Sequence, residues 1–293
     1  MTWLPSRRAR RACCAALVVA AAVLLAAGHH LTRPRPSVVG APPPELGAVA
    51  LRVPVDAEIE LAAWFAPGQP GCGGVLLLHG LENSRRTLLA RALWLRARGH
   101  AVLLCDLRGH GESSASRISF GWHERADALA ALRELRARCP GERLAAIGTS
   151  MGAAALLYAA RELELDALVL ESVYARIEDA TADRLELHLG EPARALAPLL
   201  LLQVPWWIGA SARELRPSAH ASSLRVPTLV LVGADDRHAP PRAAREIAER
   251  APAGVAALQT FPGVAHADLH ASSPERYERE VGAFLTRHLA LPR

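Results

Sequence analysis

A pentapeptide near the middle of the chain, Gly148-Thr149-Ser150-Met151-Gly152, constrains the fold more than any other feature. It follows an apolar run at residues 144–147 and precedes a helix-forming run at residues 153–160. A serine that projects from the edge of a sheet needs a tight turn, and flanking glycines remove the Cβ atoms that would clash there. The helix that follows directs its free N–H groups at the same turn. This context favours a strand–turn–helix with a nucleophilic serine over a chance glycine-rich turn.

Length and charge are typical of one large domain without a nucleic-acid partner. The 293 residues, of which 51% are hydrophobic, fit a single α/β domain with an inserted cap. The formal net charge is +5, and the four arginines within residues 1–11 contribute four of it, which leaves +1 for the rest. Because the other arginines are interleaved with glutamates, we expect no nucleic-acid binding.

The first 28 residues have the composition of a membrane-targeting segment. Residues 1–11 are basic, residues 12–28 are small and apolar, and residues 29–46 are rich in proline and arginine and are interpreted as a linker. A retained signal-anchor and a signal peptide cleaved after Ala26-Ala27-Gly28 both fit this pattern. In either case the positive-inside rule leaves the arginines in the cytoplasm. We therefore expect residues 47–293 to form a catalytic domain that is membrane-anchored and extracytoplasmic, or exported.

The cysteines indicate neither a disulfide framework nor a metal site. Cys13 and Cys14 lie inside the apolar segment, so three cysteines remain for the body. A Cys72–Cys139 bridge is conceivable, whereas Cys105 ends an apolar strand and is expected to be a small buried side chain. The sequence contains no Cys-x-x-Cys or Cys/His spacing of the kind that binds zinc, and we expect neither a metal nor a cofactor.

Apolar runs alternate with segments of helical period and predict an α/β fold, with a mostly parallel central sheet flanked by helices. Residues 49–53 and 58–64 have the alternating pattern of antiparallel strands. Further strands are predicted at residues 75–78, 101–105, 144–147, 167–170, 228–232 and 256–261, and helices at residues 87–98, 123–139, 153–160 and 274–289, with another opening at Pro240-Pro241. One face of the helix at residues 123–139 is predicted to be buried, and it consists of Ala126, Leu129, Leu132 and Leu135.

Residues 172–223 interrupt this alternation with a leucine-rich stretch that ends in Trp206-Trp207-Ile208. The interruption follows a predicted strand, where a cap insertion is topologically easy. One interpretation is a lid that lines an acyl or other apolar pocket, with Trp206 and Trp207 as substrate-binding residues. The other is a helix packed on the sheet edge, and the sequence leaves both open.

Five motifs occur in an order that resembles the α/β-hydrolase superfamily, most closely its serine-aminopeptidase-like and acylglycerol-lipase-like branch. They are His79-Gly80 and the segments at residues 106–113, 120–127, 226–240 and 263–266. The resemblance covers roughly residues 47–290. It implies an α/β-hydrolase fold, in which the serine, the acid and the histidine follow one another along the chain.

The resemblance also implies a role for each candidate catalytic residue. Ser150 would be the nucleophile, and His266 would first remove its proton and then protonate the leaving group. Asp236 would fix the tautomer of His266. The backbone N–H groups of Leu81 and Met151 would form the oxyanion hole.

Two other acids compete with Asp236 for this assignment. Asp235 is adjacent, but the family pattern places the acid three residues after Gly233 and four before Pro240. Glu171 follows the preceding strand, at a position that some hydrolases use. Its alternative role is a strand-end carboxylate that accepts hydrogen bonds from the backbone.

The remaining histidines have other expected roles. His270 lies close to His266 in sequence but lacks its spacing within the motif. His238 either lines the pocket or lies in a surface loop, and His79 and His110 are expected to brace turns. The catalytic triad is therefore predicted to consist of Ser150, Asp236 and His266.

These features predict a membrane-tethered or exported serine hydrolase that cleaves a small-molecule carboxylic ester or thioester. An aminopeptidase-like amidase and an acyltransferase could use the same triad, and both remain open. An inactive hydrolase-fold interaction module is the alternative from another functional class.

Overall fold

The computed structural model describes residues 7–290; residues 1–6 of the predicted basic segment and residues 291–293 of the predicted catalytic domain lie outside this range. Within it, the strands are β1 (Arg35–Pro36), β2 (Val49–Pro54), β3 (Glu60–Ala66), β4 (Gly74–Leu78), β5 (Ala101–Cys105), β6 (His110–Gly111), β7 (Leu144–Thr149), β8 (Ala167–Glu171), β9 (Thr228–Gly233) and β10 (Ala256–Phe261). The helices in the same range are α1 (Arg7–Thr32), α2 (Leu89–Ala97), α3 (Glu124–Arg138), α4 (Met151–Tyr158), α5 (Ile177–Leu189), α6 (Ala197–Leu201), α7 (Val204–Ile208), α8 (Pro217–His220), α9 (Pro241–Arg250), α10 (Leu269–Ser272) and α11 (Pro274–Leu289).

Eight of the strands form one sheet in the order β10-β9-β8-β7-β4-β5-β3-β2. Its neighbours pair in parallel except at β3, which is antiparallel to both β2 and β5. β4 and β5 are buried along their whole length, as expected for uniformly apolar strands in the middle of a covered sheet. Helices α3, α4 and α9 cover one face, and α2 and α11 cover the other. The predicted α/β class and mostly parallel sheet are confirmed.

The buried face of α3 is only partly the one predicted. Leu132 and Leu135 are buried as expected. Ala126 and Leu129 are only half-buried, and two acids occupy the inner surface instead. Glu124 accepts hydrogen bonds from the loop just before the helix, and Asp127 forms a paired contact with the guanidinium of Arg108 at 2.6–3.1 Å. A buried carboxyl group needs a hydrogen-bonding partner, and for Asp127 the loop after β5 supplies Arg108. Hydrophobic periodicity alone could not find this face.

Residues 172–223 connect β8 to β9 through the four helices α5 to α8. The helices share a small apolar cluster of their own, centred on Ile177, Val204, Ile208 and Leu215. His123 at the start of α3 bonds the carbonyl of Ile208 at 2.7 Å and so joins this helical segment to the body. The segment lies over the end of the sheet at which the candidate site is found.

The segment interpreted from sequence as a linker is packed on the body for much of its length. Val39 and Leu46 are buried, and the backbone N–H groups of Val39 and Gly40 donate to Glu112 at 3.1 and 2.9 Å. β1 pairs in parallel with β6. As a result, the end of α1 is held close to the end of the sheet at which the candidate site is found.

Candidate active site

Ser150 occupies a strained turn between β7 and α4. Its backbone has φ +52° and ψ −108°, in the left-handed region of φ that side-chain-bearing residues rarely adopt. Its N–H donates to the carbonyl of Glu171 at 2.8 Å, which ties the turn to the end of β8. At Gly152 an added Cβ would lie 2.6 Å from the carbonyl oxygen of Leu78, so only glycine lets α4 begin against β4. The turn has the geometry predicted for a nucleophile elbow.

His266 and Asp236 form a hydrogen-bonded pair beside this turn. Asp236 follows β9, His266 follows β10, and the distance from His266 Nδ1 to Asp236 Oδ2 is 2.8 Å. The other carboxyl oxygen of Asp236 accepts from the backbone N–H groups of His238 and Ala239 at 2.9 and 2.8 Å. Because a carboxylate can only accept, Nδ1 of His266 carries a proton, and in the neutral ring Nε2 is an acceptor. His266 and Ser150 line the same pocket.

Neither alternative acid contacts this histidine. Asp235 is exposed, and its N–H bonds the carbonyl of Val264. Glu171 is fully buried, and its carboxyl group accepts from Thr149 at 2.9 Å and from the hydroxyl of Tyr277. The geometry therefore pairs Asp236, and not Asp235 or Glu171, with His266.

The other histidines also have identifiable surroundings. His270 is buried and its Nε2 lies 3.1 Å from Glu278, so it is committed to another contact. His238 lines the pocket and stacks on His266 with ring centroids 5.0 Å apart. Burial, together with the neighbouring His266, lowers the pKa of His238, which favours its neutral form.

The turn after β4 is braced by a buried histidine, as predicted for His79. Its Nε2 accepts from the N–H of Leu107 at 3.0 Å, so its Nδ1 donates to the carbonyl of Gly80 at 2.7 Å. Burial, and then the nearby His110, lower the pKa of His79 to about 3, so the ring is neutral at physiological pH. The next residue, Leu81, lines the pocket together with Met151.

Met151 is the first residue of α4. The first N–H groups of a helix have no intrahelical partner and are available to an anion. The residues predicted to form an oxyanion hole therefore lie on one pocket, at the turn after β4 and at the start of a helix beside Ser150.

A buried arginine that sequence reasoning missed links the histidine loop to the sheet. Arg91 of α2 is 1% exposed and lies 3.0 Å from Glu171 and 2.7 Å from Asp268, two residues after His266. Burial opposes its charge, but the two acids and Tyr277 raise the pKa of Arg91 above its usual value. In a sequence rich in surface arginines, nothing in the local pattern distinguishes this one.

The pocket beside Ser150 has a volume of about 910 Å³. Much of its wall consists of apolar side chains from α5, α6 and α7. They include Ile177, Leu185, Leu189, Leu200, Leu201, Val204, Trp207 and Ile208. The pocket also reaches the last turns of α1, which the sequence did not suggest.

Of the two tryptophans predicted to bind substrate, one lies at the pocket. Trp207 lines it, whereas Trp206 is 77% exposed and is not part of the wall. The prediction that Trp206 lines the substrate pocket is therefore wrong. Adjacent residues on a helix point about 100° apart, and the orientation of α7 turns Trp207 toward the pocket and Trp206 toward solvent.

All five cysteines are free in the part of the chain that the structure describes. Cys72 is half-buried and Cys139 is buried, and no bridge joins them. Cys105 is fully buried at the end of β5, and burial raises the pKa of its thiol well above the usual value. None of the five cysteines in the described residues lines the pocket beside Ser150.

A family model described as serine aminopeptidase, S33, matches residues 69–217, slightly more than half of the chain. The matched range contains the Ser150 turn and the turn at Gly80-Leu81. It ends before Asp236 and His266, so the model covers the nucleophile half of the site.

Two curated proteins are similar over most of the chain. An uncharacterized protein of Mycobacterium tuberculosis is 30% identical over 217 residues, which cover 72% of this chain and 69% of that protein. The uncharacterized protein YqkD of Bacillus subtilis is 28% identical over 216 residues, which cover 72% of this chain and 70% of that protein. Both matches extend the sequence similarity to a larger share of the chain than the family model does.

Among solved structures, the esterase Pf2001 of Pyrococcus furiosus is similar with a TM-score of 0.73 and 21% sequence identity. The superposition covers 88% of this chain and 98% of that chain. At this identity the likeness shows a common fold, and it supports the topology described above.

Proposed function

Because the chain belongs to the serine aminopeptidase S33 family of the α/β-hydrolase superfamily, we propose that it is a serine hydrolase cleaving a carboxylic ester or thioester. The observation that carries this proposal is the Asp236–His266 pair on the same pocket as the strained Ser150 turn. Family membership supports a hydrolase. The triad, the ester preference and the membrane tether are the specific parts of the proposal.

The first half-reaction transfers the acyl group to Ser150. Nε2 of His266 removes the hydroxyl proton while Oγ of Ser150 attacks the carbonyl carbon, and the carbonyl oxygen becomes an oxyanion. Asp236 keeps the proton on Nδ1 and stabilises the imidazolium that forms. The N–H groups of Leu81 and Met151 donate to the oxyanion. As the tetrahedral intermediate collapses, His266 gives its proton to the departing alcohol or thiol.

The second half-reaction returns the enzyme to its starting state. Water enters where the alcohol or thiol left, and Nε2 of His266 removes a proton from it as its oxygen attacks the acyl carbon. The bond to Ser150 then breaks, Oγ recovers a proton from His266, and the carboxylic acid leaves. An acceptor alcohol in place of water would make the same site an acyltransferase.

An aminopeptidase-like amidase is the second candidate because the family description names that activity. Such an enzyme needs a carboxylate for the substrate ammonium. Within the described residues, the acids that line the pocket are Glu82, paired with Arg35 at 3.1 Å, and Asp268, paired with Arg91 at 2.7 Å. Since each acid is already paired with an arginine and the wall beside Ser150 is apolar, the pocket favours an acyl ester.

We expect catalytic efficiency to increase with acyl length over the first several carbons. Each buried methylene contributes about 0.8 kcal/mol, or about fourfold, until the pocket is filled. Rates on a series of p-nitrophenyl esters from acetate to laurate would measure this profile. A flat profile combined with turnover of aminoacyl amides would contradict the ester proposal and support the amidase. Turnover of no ester or amide would support an inactive module.

Trp207→Ala tests the pocket wall, with Trp206→Ala as a matched control one residue away. Removing Trp207 should weaken the dependence on acyl length more than it slows acetyl-ester cleavage, because the lost surface lies against the acyl chain. Trp206 is exposed, so its variant should keep the wild-type profile. Equal effects of the two variants would contradict the assignment of Trp207 to the wall.

We also propose that α1 tethers the protein to a membrane. Its segment Cys13–Thr32 has 20 residues with a mean hydropathy of 2.0, long and apolar enough to cross a bilayer. Arg7, Arg8 and Arg11 precede it on the exposed surface. A C-terminally tagged protein should fractionate with membranes and resist extraction by salt or carbonate. A soluble extracytoplasmic chain that begins near His29 would contradict the tether and indicate cleavage.

A further inference from the structure

One face of the last three turns of α1 is packed against the rest of the protein. Residues 24, 27, 28, 31 and 32 are buried or half-buried, at the three- and four-residue spacing of a helix face. Before residue 24, the described side chains of α1 are exposed. The C-terminal end of α1 is therefore docked on the protein, whereas the part before residue 24 projects away from it.

A buried glutamine fixes α1 to the helices over the site. Nε2 of Gln203 donates to the carbonyl of Leu24 at 2.7 Å, and its Oε1 accepts from the indole N–H of Trp207 at 2.7 Å. Gln203 is only 5% exposed. The approach is so close that a Cβ at Gly28 would overlap Gln203 and lie 2.7 Å from Trp207 Nε1.

The last turn of α1 is fixed to the body of the domain. The carbonyl of Thr32 accepts from the N–H of Ile118 at 2.8 Å, and its hydroxyl donates to the carbonyl of Gly28 at 2.9 Å. Arg117 donates to the same hydroxyl at 3.3 Å and lies over the ring of Trp207, 4.5 Å from its centre. The end of α1 is thus held between the α6–α7 segment and the loop before α3.

We propose that the end of α1 is an integral wall of the acyl-binding pocket and helps to set the acyl length that it accepts. Gly28, Leu31 and Thr32 line the same pocket as Ser150 and Trp207. Of these three, Leu31 presents the largest apolar side chain. This inference rests on the proposed hydrolase function and goes beyond it, because it makes the membrane-targeting segment part of the substrate site.

The same contacts favour a retained signal-anchor over a signal peptide that is cleaved after Gly28. Cleavage after Gly28 would remove Leu24, which bonds Gln203, together with the glycine that allows the close approach. The pocket would then be open between α7 and the loop before α3. The active protein is the one that keeps this helix.

Replacement of Leu31 tests the proposal on the full-length protein in detergent. Leu31→Trp fills part of the pocket with roughly two methylenes of volume. It should lower kcat/KM for laurate esters roughly tenfold, with less than a twofold change for acetate esters. Leu31→Ala should move the optimum to longer chains by one or two carbons. Val23→Trp, on the exposed part of α1, is the matched control and should leave the profile unchanged.

The outcomes separate this inference from the function on which it rests. If both Leu31 variants keep the wild-type chain-length profile while acetate esters are still cleaved, the wall assignment is wrong and the hydrolase stands. If neither the wild-type protein nor any variant cleaves an ester, the proposed hydrolase function itself is wrong. If Val23→Trp changes the profile as much as Leu31→Trp does, the effect does not depend on the pocket wall and the wall assignment is again wrong.

Discussion

Replacement of Ser150 by alanine is expected to lower kcat by roughly 10⁵–10⁶-fold while the fold is retained, by analogy with other serine hydrolases that lose their nucleophile. Alanine removes only Oγ, and the hydrogen bond from the N–H of residue 150 to Glu171 is unaffected. The residual rate should reflect binding and the two oxyanion donors. Ester turnover and circular dichroism of the purified variant would measure these two expectations.

A fluorophosphonate probe provides the matching chemical test. It should label the wild-type protein and should not label Ser150→Ala. Ser172 also lines the pocket, so Ser172→Ala is the control and should still be labelled. Normal turnover by Ser150→Ala, or labelling that depends on Ser172, would show that the nucleophile has been misassigned.

Asp236→Asn is expected to lower kcat by an amount of order 10⁴, far more than Asp235→Asn. An amide at position 236 would present a donor to Nδ1 of His266, and the ring would then carry its proton on the wrong nitrogen. The backbone N–H groups of His238 and Ala239 would still have an oxygen to bond. Asp235 is exposed and contacts no catalytic group, so its variant should be close to wild type.

Steady-state kinetics of the two asparagine variants would decide the acid. If Asp235→Asn were the inactive protein, the catalytic loop would differ by one residue from the one described. If both variants kept full activity, neither aspartate would be the acid. Glu171 would then be the remaining candidate among the three weighed from the sequence, despite its commitment to Arg91.

Local pattern was sufficient for the sheet and for the serine turn. β5 occupies the predicted residues because a uniformly apolar run bounded by polar turns has few alternatives in a covered sheet. The glycines around Ser150 likewise encode a steric requirement that acts within five residues. The choice of Asp236 over Asp235 came from motif spacing, and the hydrogen bond to His266 agrees with it.

The features that were missed all depend on contacts between distant parts of the chain. Asp127 is buried because Arg108 reaches it, and Arg91 joins Glu171 to Asp268 across three different elements. Neither pairing leaves a periodic signal in the sequence. Trp206 and Trp207 could be placed only when the orientation of α7 was known.

If α1 spans a membrane, its docked end determines how deeply the protein is immersed in the bilayer. The free part of the apolar segment, residues 13–23, extends only about 16 Å at 1.5 Å per residue, roughly half of a hydrocarbon core of about 30 Å. A helix that crosses the bilayer must therefore submerge its docked turns as well. The helices packed against those turns would then be drawn to the membrane surface. The leucines and the tryptophan that α6, α7 and the adjoining turns expose would then meet lipid instead of water, namely Leu196, Leu199, Leu202 and Trp206.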